Sequence, residues 1–188
     1  MITRQSVAPA VEPVTLTEAK LHLRLSTSAW DAVEYDTEDD LLNSLIETAR
    51  GYVENYTHRA IITQTWIAYL ETFPNAVRLP FPPFQSITSI TVEGVAFTDF
   101  TASTEGIIEP DDLWPTLSSD PGANPIEITF ISGYGLAVSV PAPIKHAILL
   151  LIAHWYSNRE SVLIGVNAAP LPMAVEALLN PYRWMQFV

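Results

Sequence analysis

From Asp39 to about Thr57 the apolar residues Leu41, Leu42, Leu45, Ile46, Ala49, Tyr52, Val53 and Tyr56 recur at one-turn spacing, while Asn43, Glu47, Arg50 and Glu54 fall on the other side. This period predicts an amphipathic helix over 39–57. A second segment, Val140 to Glu160, is apolar on nearly every side and predicts a helix over 143–158, started by Pro143, where the missing amide donor would have been unpaired anyway. Its uninterrupted apolar run, Ala147–Ala153, is far shorter than the roughly 20 residues needed to cross a bilayer, and His146, His154 and Arg159 bracket it. Such a helix must be buried by protein, either at the centre of the domain or on a surface shared between subunits.

Shorter elements flank these two. Thr15-Leu-Thr-Glu18 fits a capping box and predicts a helix over 16–25. Ser26 to Asp40 reads as an acidic loop whose last carboxylates suit the positive end of the next helix. Residues 61–71, 86–93 and 125–132 are β-branched, aromatic and partly alternating, so they predict strands. Glu93-Gly94 between two valines predicts a tight hairpin, Leu79–Phe84 an edge or loop, Gly133-Tyr-Gly135 a turn leaving a strand, and 102–124 a long irregular excursion. A loop over 165–172 and a short helix over 172–179, halted by Pro181, complete the chain before an unusually aromatic tail, 181–188. Residues 1–13, with prolines at 9 and 13, read as an extended arm. The fold class expected is α+β: a helical core with a small, mostly antiparallel sheet inserted at about 60–135, in one compact unit spanning 1–188.

Composition narrows the function. The net charge of −12 comes from 21 acidic against 9 basic residues, with no Lys/Arg cluster of the kind that displaces counterions from phosphates, so tight DNA binding is not expected. The absence of cysteine excludes disulfides, thiolate metal sites and cysteine nucleophiles, and the amino terminus lacks the apolar stretch of a signal peptide. His22, His58, His146 and His154 have no metal-binding spacing. Glu109, Asp111 and Asp112 match no calcium loop, Gly133–Gly135 is no phosphate loop, and Ser132 and Ser161 lack a nucleophile-elbow context. No catalytic residue, metal ligand or cofactor is expected, and no membrane contact.

The order of certain motifs resembles a known family over about 170 residues. They are Pro13-Val-Thr-Leu-Thr-Glu-Ala-Lys-Leu-His-Leu-Arg24, Asp39-Asp-Leu-Leu with Ala49-Arg-Gly-Tyr-Val-Glu-Asn-Tyr-Thr57, Ile62-Thr-Gln-Thr-Trp66, Leu79-Pro with Pro83 and Ser86–Ile90, Ser132–Gly135, Val140–Lys145, His154-Trp-Tyr with Asn158–Glu160, and Pro181-Tyr-Arg183. Together they resemble the head–tail connector (adaptor, head-completion) proteins of tailed double-stranded-DNA phages and gene-transfer particles. The resemblance implies a non-enzymatic virion protein, made in the host cytoplasm. It implies a homo-oligomeric ring, commonly a dodecamer, docked beneath the portal and extending the DNA channel without specific DNA binding. It also implies a docking surface for a tail or stopper protein; a stopper or tail-completion protein is the alternative, and an acidic cytosolic ligand-binding domain or enzyme a more remote one. Candidate contacts to the portal or a neighbouring subunit are Tyr182, Arg183, Trp184 and Phe187 on the tail, Trp155, Tyr156 and Arg159 on the apolar helix, and Glu47, Arg50 and Glu54 on the amphipathic one.

Overall fold

The computed structural model describes residues 1–25, 38–122, 124–159 and 173–185. Two compact units make up the chain: one from Met1–Ala10 and His58–Gly135, the other from Val11–Thr57 and Leu136–Val188. The first unit is built from β-strands and the second from helices.

In the helical unit, α1 spans Leu16–His22, α2 Asp39–Thr57, α3 Ala142–Ser157 and α4 Met173–Leu179. The expected capping box opens α1: the Glu18 amide donates to Thr15 Oγ1 at 3.1 Å, and the Thr15 amide donates to Glu18 Oε2 at 2.7 Å. The helix stops at His22 rather than Leu25, because Leu23 caps it and Arg24 turns into the left-handed region at φ 57°. α3 packs against α1, α2 and α4. Its Ile144, Ala147, Ile148, Leu151 and Ile152 are wholly buried, together with Leu42, Ala49 and Val53 of α2 and Val175 and Leu179 of α4. The all-round apolar helix is thus the core element of this unit, while Leu149 and Leu150 stay half-buried. The loop expected at 165–172 and the acid-rich stretch 26–37 lie outside the described residues.

The β unit holds a five-stranded antiparallel sheet in the order β1-β2-β8-β4-β5 and a three-stranded one in the order β3-β7-β6. In the first sheet, β1 is Ile2–Val7, β2 Gln64–Leu70, β4 Phe84–Val92, β5 Val95–Ala96 and β8 Ile126–Ser132. In the second, β3 is Val77–Arg78, β6 Phe100–Ala102 and β7 Ile107–Pro110. β8 alternates buried and half-buried positions, which turns Ile126, Ile128 and Phe130 into the core beside Ala68, Leu70 and Ile90. Val77 and Ile108 of the second sheet complete that core, and Phe73 stacks on Trp114 at 4.3 Å beside it.

Residues 1–13 begin as a strand: Ile2–Val7 is extended and bonded to β2 at the edge of the sheet. The excursion expected at 102–124 is less irregular than its sequence, since β7 and the end of β6 lie in it and form most of the second sheet. The Glu93-Gly94 hairpin forms as expected, both residues having positive φ (50° and 79°), the conformation that matches the twist of the flanking strands.

Candidate interface surfaces

Among the described residues no group of three or more His, Asp or Glu side chains is placed to hold a metal ion. His22 and His146 meet edge to face at 6.1 Å, and His22 is held below its ordinary pKa by burial and by the charge of His146. Ser132 is wholly buried, beyond the reach of a substrate, and Asp111 accepts a hydrogen bond from Thr101 Oγ1 at 2.8 Å. Chemistry gives way to surfaces.

The first surface joins the carboxyl end of α3 to the amino end of α2. Tyr156 donates its hydroxyl to Glu38 in a very short hydrogen bond, Arg159 Nη2 reaches Glu38 Oε1 at 2.6 Å, and the Arg159 guanidinium lies 4.8 Å from the Tyr156 ring centre. The hydrogen bond from Tyr156 and the contact with Arg159 hold the Glu38 carboxyl below its ordinary range, while the hydrogen bond to Glu38 raises both Tyr156 and Arg159. Beside this network lies a groove of about 440 Å³, lined by Leu41, Leu45 and Thr48 of α2 and by Trp155, Tyr156 and Arg159. Trp155 meets Tyr52 edge to face at 6.2 Å, and Tyr52 stacks with Tyr56 at 6.3 Å, so an aromatic row runs along α2.

The second surface is where the chain returns after α4. Tyr56 Oη donates to Asn180 Oδ1 at 2.8 Å, the Arg183 guanidinium sits 5.4 Å from the Tyr56 ring centre, and the Trp184 amide donates to the Thr57 carbonyl at 2.8 Å. That last bond satisfies a carbonyl at the end of α2 that has no partner within the helix. The described part of the tail is therefore held to the end of α2, with Tyr182 and Trp184 half-buried and Arg183 and Met185 exposed. Phe187 lies outside the described residues.

The third set divides. Arg50 is only 9% exposed and is gripped by Glu12 at 2.8 Å and Glu54 at 2.9 Å, whereas Glu47, 4.0 Å away, is open to solvent. Burial works against the Arg50 charge, yet the two close carboxylates outweigh it and raise its pKa. Of the three, only Glu47 is largely exposed, 74% of its side chain reaching solvent. Sequence reasoning missed Glu38, Leu41, Leu45 and Tyr56 as parts of these surfaces. The signal for the leucines was present: apolar positions 41, 42, 45, 46, 49, 52, 53 and 56 make a stripe wider than one packed helix face needs.

Aromatic surfaces bracketed by charge are the kind that assembly proteins use to join their partners. Residues 13–108 match the family described as Phage gp6-like head-tail connector protein, and the chain belongs to that family, whose members are structural connectors and not enzymes. This places the protein at the head–tail junction of a virion. Among solved structures it is similar to a chain of the neck of an empty gene transfer agent (GTA) particle computed with C6 symmetry, at 22% identity and a TM-score of 0.79. It is also similar to chains of the virion of a native GTA particle (24% identity, TM-score 0.77) and of the neck of a native GTA particle computed with C12 symmetry (21%, 0.71). Each likeness covers 100% of this chain and 98% of the other, so the fold is shared end to end. No curated protein matches the chain.

Proposed function

We propose that this connector works as one subunit of a closed ring, a dodecamer, seated under the portal, where it prolongs the DNA channel and offers a surface to the tail or stopper protein. The observation that carries this reading is the shared fold over the whole chain with neck chains from particles computed with C6 and C12 symmetry. Subunits in a ring bury two different faces, and the helical unit has two unlike surfaces to offer: the Leu41–Trp155–Arg159 groove and the Arg183–Trp184 return. Tyr182, Arg183, Trp184 and Phe187 are the anchors to the portal or a neighbouring subunit, with Trp155, Tyr156, Arg159 and Glu47 as secondary contacts. Arg50 and Glu54 act one step behind, by fixing α2.

Mass photometry of the purified chain, alone and with portal, tests the ring: a large closed oligomer is expected, and a two-fold dimer as the sole assembly overturns it. The anchor is tested with Trp184→Ala, which keeps the backbone bond to Thr57. Unchanged circular dichroism with at least tenfold weaker incorporation into portal-containing heads is expected, and normal incorporation refutes the anchor.

A further inference from the structure

We propose that the five-stranded sheet continues from one copy of this chain to the next, the β1 edge of one subunit pairing with the β4–β5 edge of its neighbour. The inference rests on the ring reading and adds its contact surface.

β1 is an edge strand of six residues, all but one of them exposed, with Ile2 65% and Val7 57% accessible. It contains neither proline nor lysine, two common devices that protect an open edge from pairing. Its outward amides and carbonyls face no strand among the described residues, and all but one of its side chains are exposed. A strand added beside it would bury both the backbone edge and the flanking apolar side chains.

The opposite edge is open too. β5 covers only Thr91 and Val92 of β4, and Phe97 adds a bond to Ile90, which leaves Gln85–Ser89 without a strand neighbour on that side among the described residues. Four of those five residues are exposed. Register shifts within Phe84–Ser86 and Ile87–Ser89 mark bulges, which bend a strand and so suit a junction that turns from one subunit to the next.

Charge selects the pairing. Residues 1–11 hold no carboxylate, and Arg4 on β1 is exposed with no ion pair among the described residues. Between Arg78 and Lys145 there is no Lys, Arg or His, against eight carboxylates. Three of these, Glu93, Asp120 and Glu127, line a polar groove of about 550 Å³ beside the β4–β5 turn. β1 thus carries one positive charge, Arg4, and the turn that closes the far edge of the sheet carries Glu93. Pairing β1 with β1 about a two-fold axis would bring two Arg4 side chains together, whereas setting Arg4 against the edge that ends at Glu93 is favourable and, being heterologous, can close a ring.

Two measurements test this. Arg4→Glu leaves the fold and melting midpoint unchanged and weakens self-assembly at least tenfold, while Arg4→Lys assembles normally; assembly of Arg4→Glu at the wild-type level overturns the proposal. Because the chain has no native cysteine, Ser6→Cys and Ser89→Cys can be combined and treated with a short bismaleimide. A ladder of covalent multimers is expected from the double variant and none from either single one. Dimers from Ser6→Cys alone, linkage of Ser6→Cys to a different neck protein, or an intact assembly that yields no ladder each overturn edge pairing while leaving the ring standing. A wild type that stays monomeric both alone and with portal overturns both.

Discussion

Gly133 leaves β8 at φ +129°, and a Cβ placed there would stand 2.3 Å from the Ile62 carbonyl oxygen and 2.7 Å from the Thr63 amide nitrogen. Both are backbone atoms, so no side chain can swing aside. The same turn holds three strands together: the Gly133 amide donates to Pro83 O at 2.8 Å, the Tyr134 amide to Ile61 O at 3.2 Å and the Thr63 amide to Gly135 O at 3.2 Å. Gly133→Ala is expected to cost about 3 kcal/mol or more, read as a lower denaturant midpoint. At the other end of the size range, Thr15→Ala removes half of the α1 cap and is expected to cost about 1 kcal/mol. The Thr15 amide, opposed by partial burial and helped by Lys145 at 3.1 Å, lowers the pKa of Glu18 below 4.5. Because the folded value is the lower one, this stabilisation is present above the unfolded pKa and is lost as pH falls through the folded one. An acid titration of Glu18→Gln is expected to show a shallower loss of stability below about pH 4.5 than the parent chain.

At the level of elements, Gly51 sits inside α2 with nothing within 4 Å of where a Cβ would be. Gly51→Ala is therefore expected to raise stability by about 0.5–1 kcal/mol in a thermal melt, by removing backbone freedom from the unfolded chain. α2 itself was legible to the residue, since nineteen positions of one-turn periodicity leave little choice of period. α3 and the strands around Trp66, Ile90 and Ile128 were legible for similar reasons. β1 was not: Thr3, Arg4, Gln5 and Ser6 have no buried side to reveal an alternation, and the strand exists because β2, some sixty residues on, offers its backbone. The strands β3, β6 and β7, of two to four residues, are too short to carry any period. The surfaces divide the same way. Trp155, Tyr156 and Arg159 stand out by residue type, but the partner that orders them, Glu38, lies 118 residues from Tyr156, and the grip of Glu12 on Arg50 spans 38.

For the molecule as a whole, the net charge of −12 governs its dealings with the DNA that passes a head–tail junction. Phosphates are repelled by carboxylates that outnumber the basic residues, and Arg50, Arg159, Lys20 and Lys145 are already paired. A mobility-shift assay at about 0.15 M salt, where charges are felt over about 8 Å, is expected to show no sub-micromolar duplex binding. The proposed channel role calls for such a surface, since a packaged genome has to slide past without sticking. The position of β8 carries a different consequence. It is bonded to β2 on one side and β4 on the other, and those two strands do not pair with each other, yet it occupies Ile126–Ser132. α2 in turn waits for the core face of α3, which begins at Ala142. A nascent chain leaving the ribosome therefore carries the apolar sides of β2, β4 and α2 uncovered until β8 and α3 follow. Each unit closes only when its late central element emerges, so β2 and β4 wait for β8, and α2 for α3, before their apolar sides are covered.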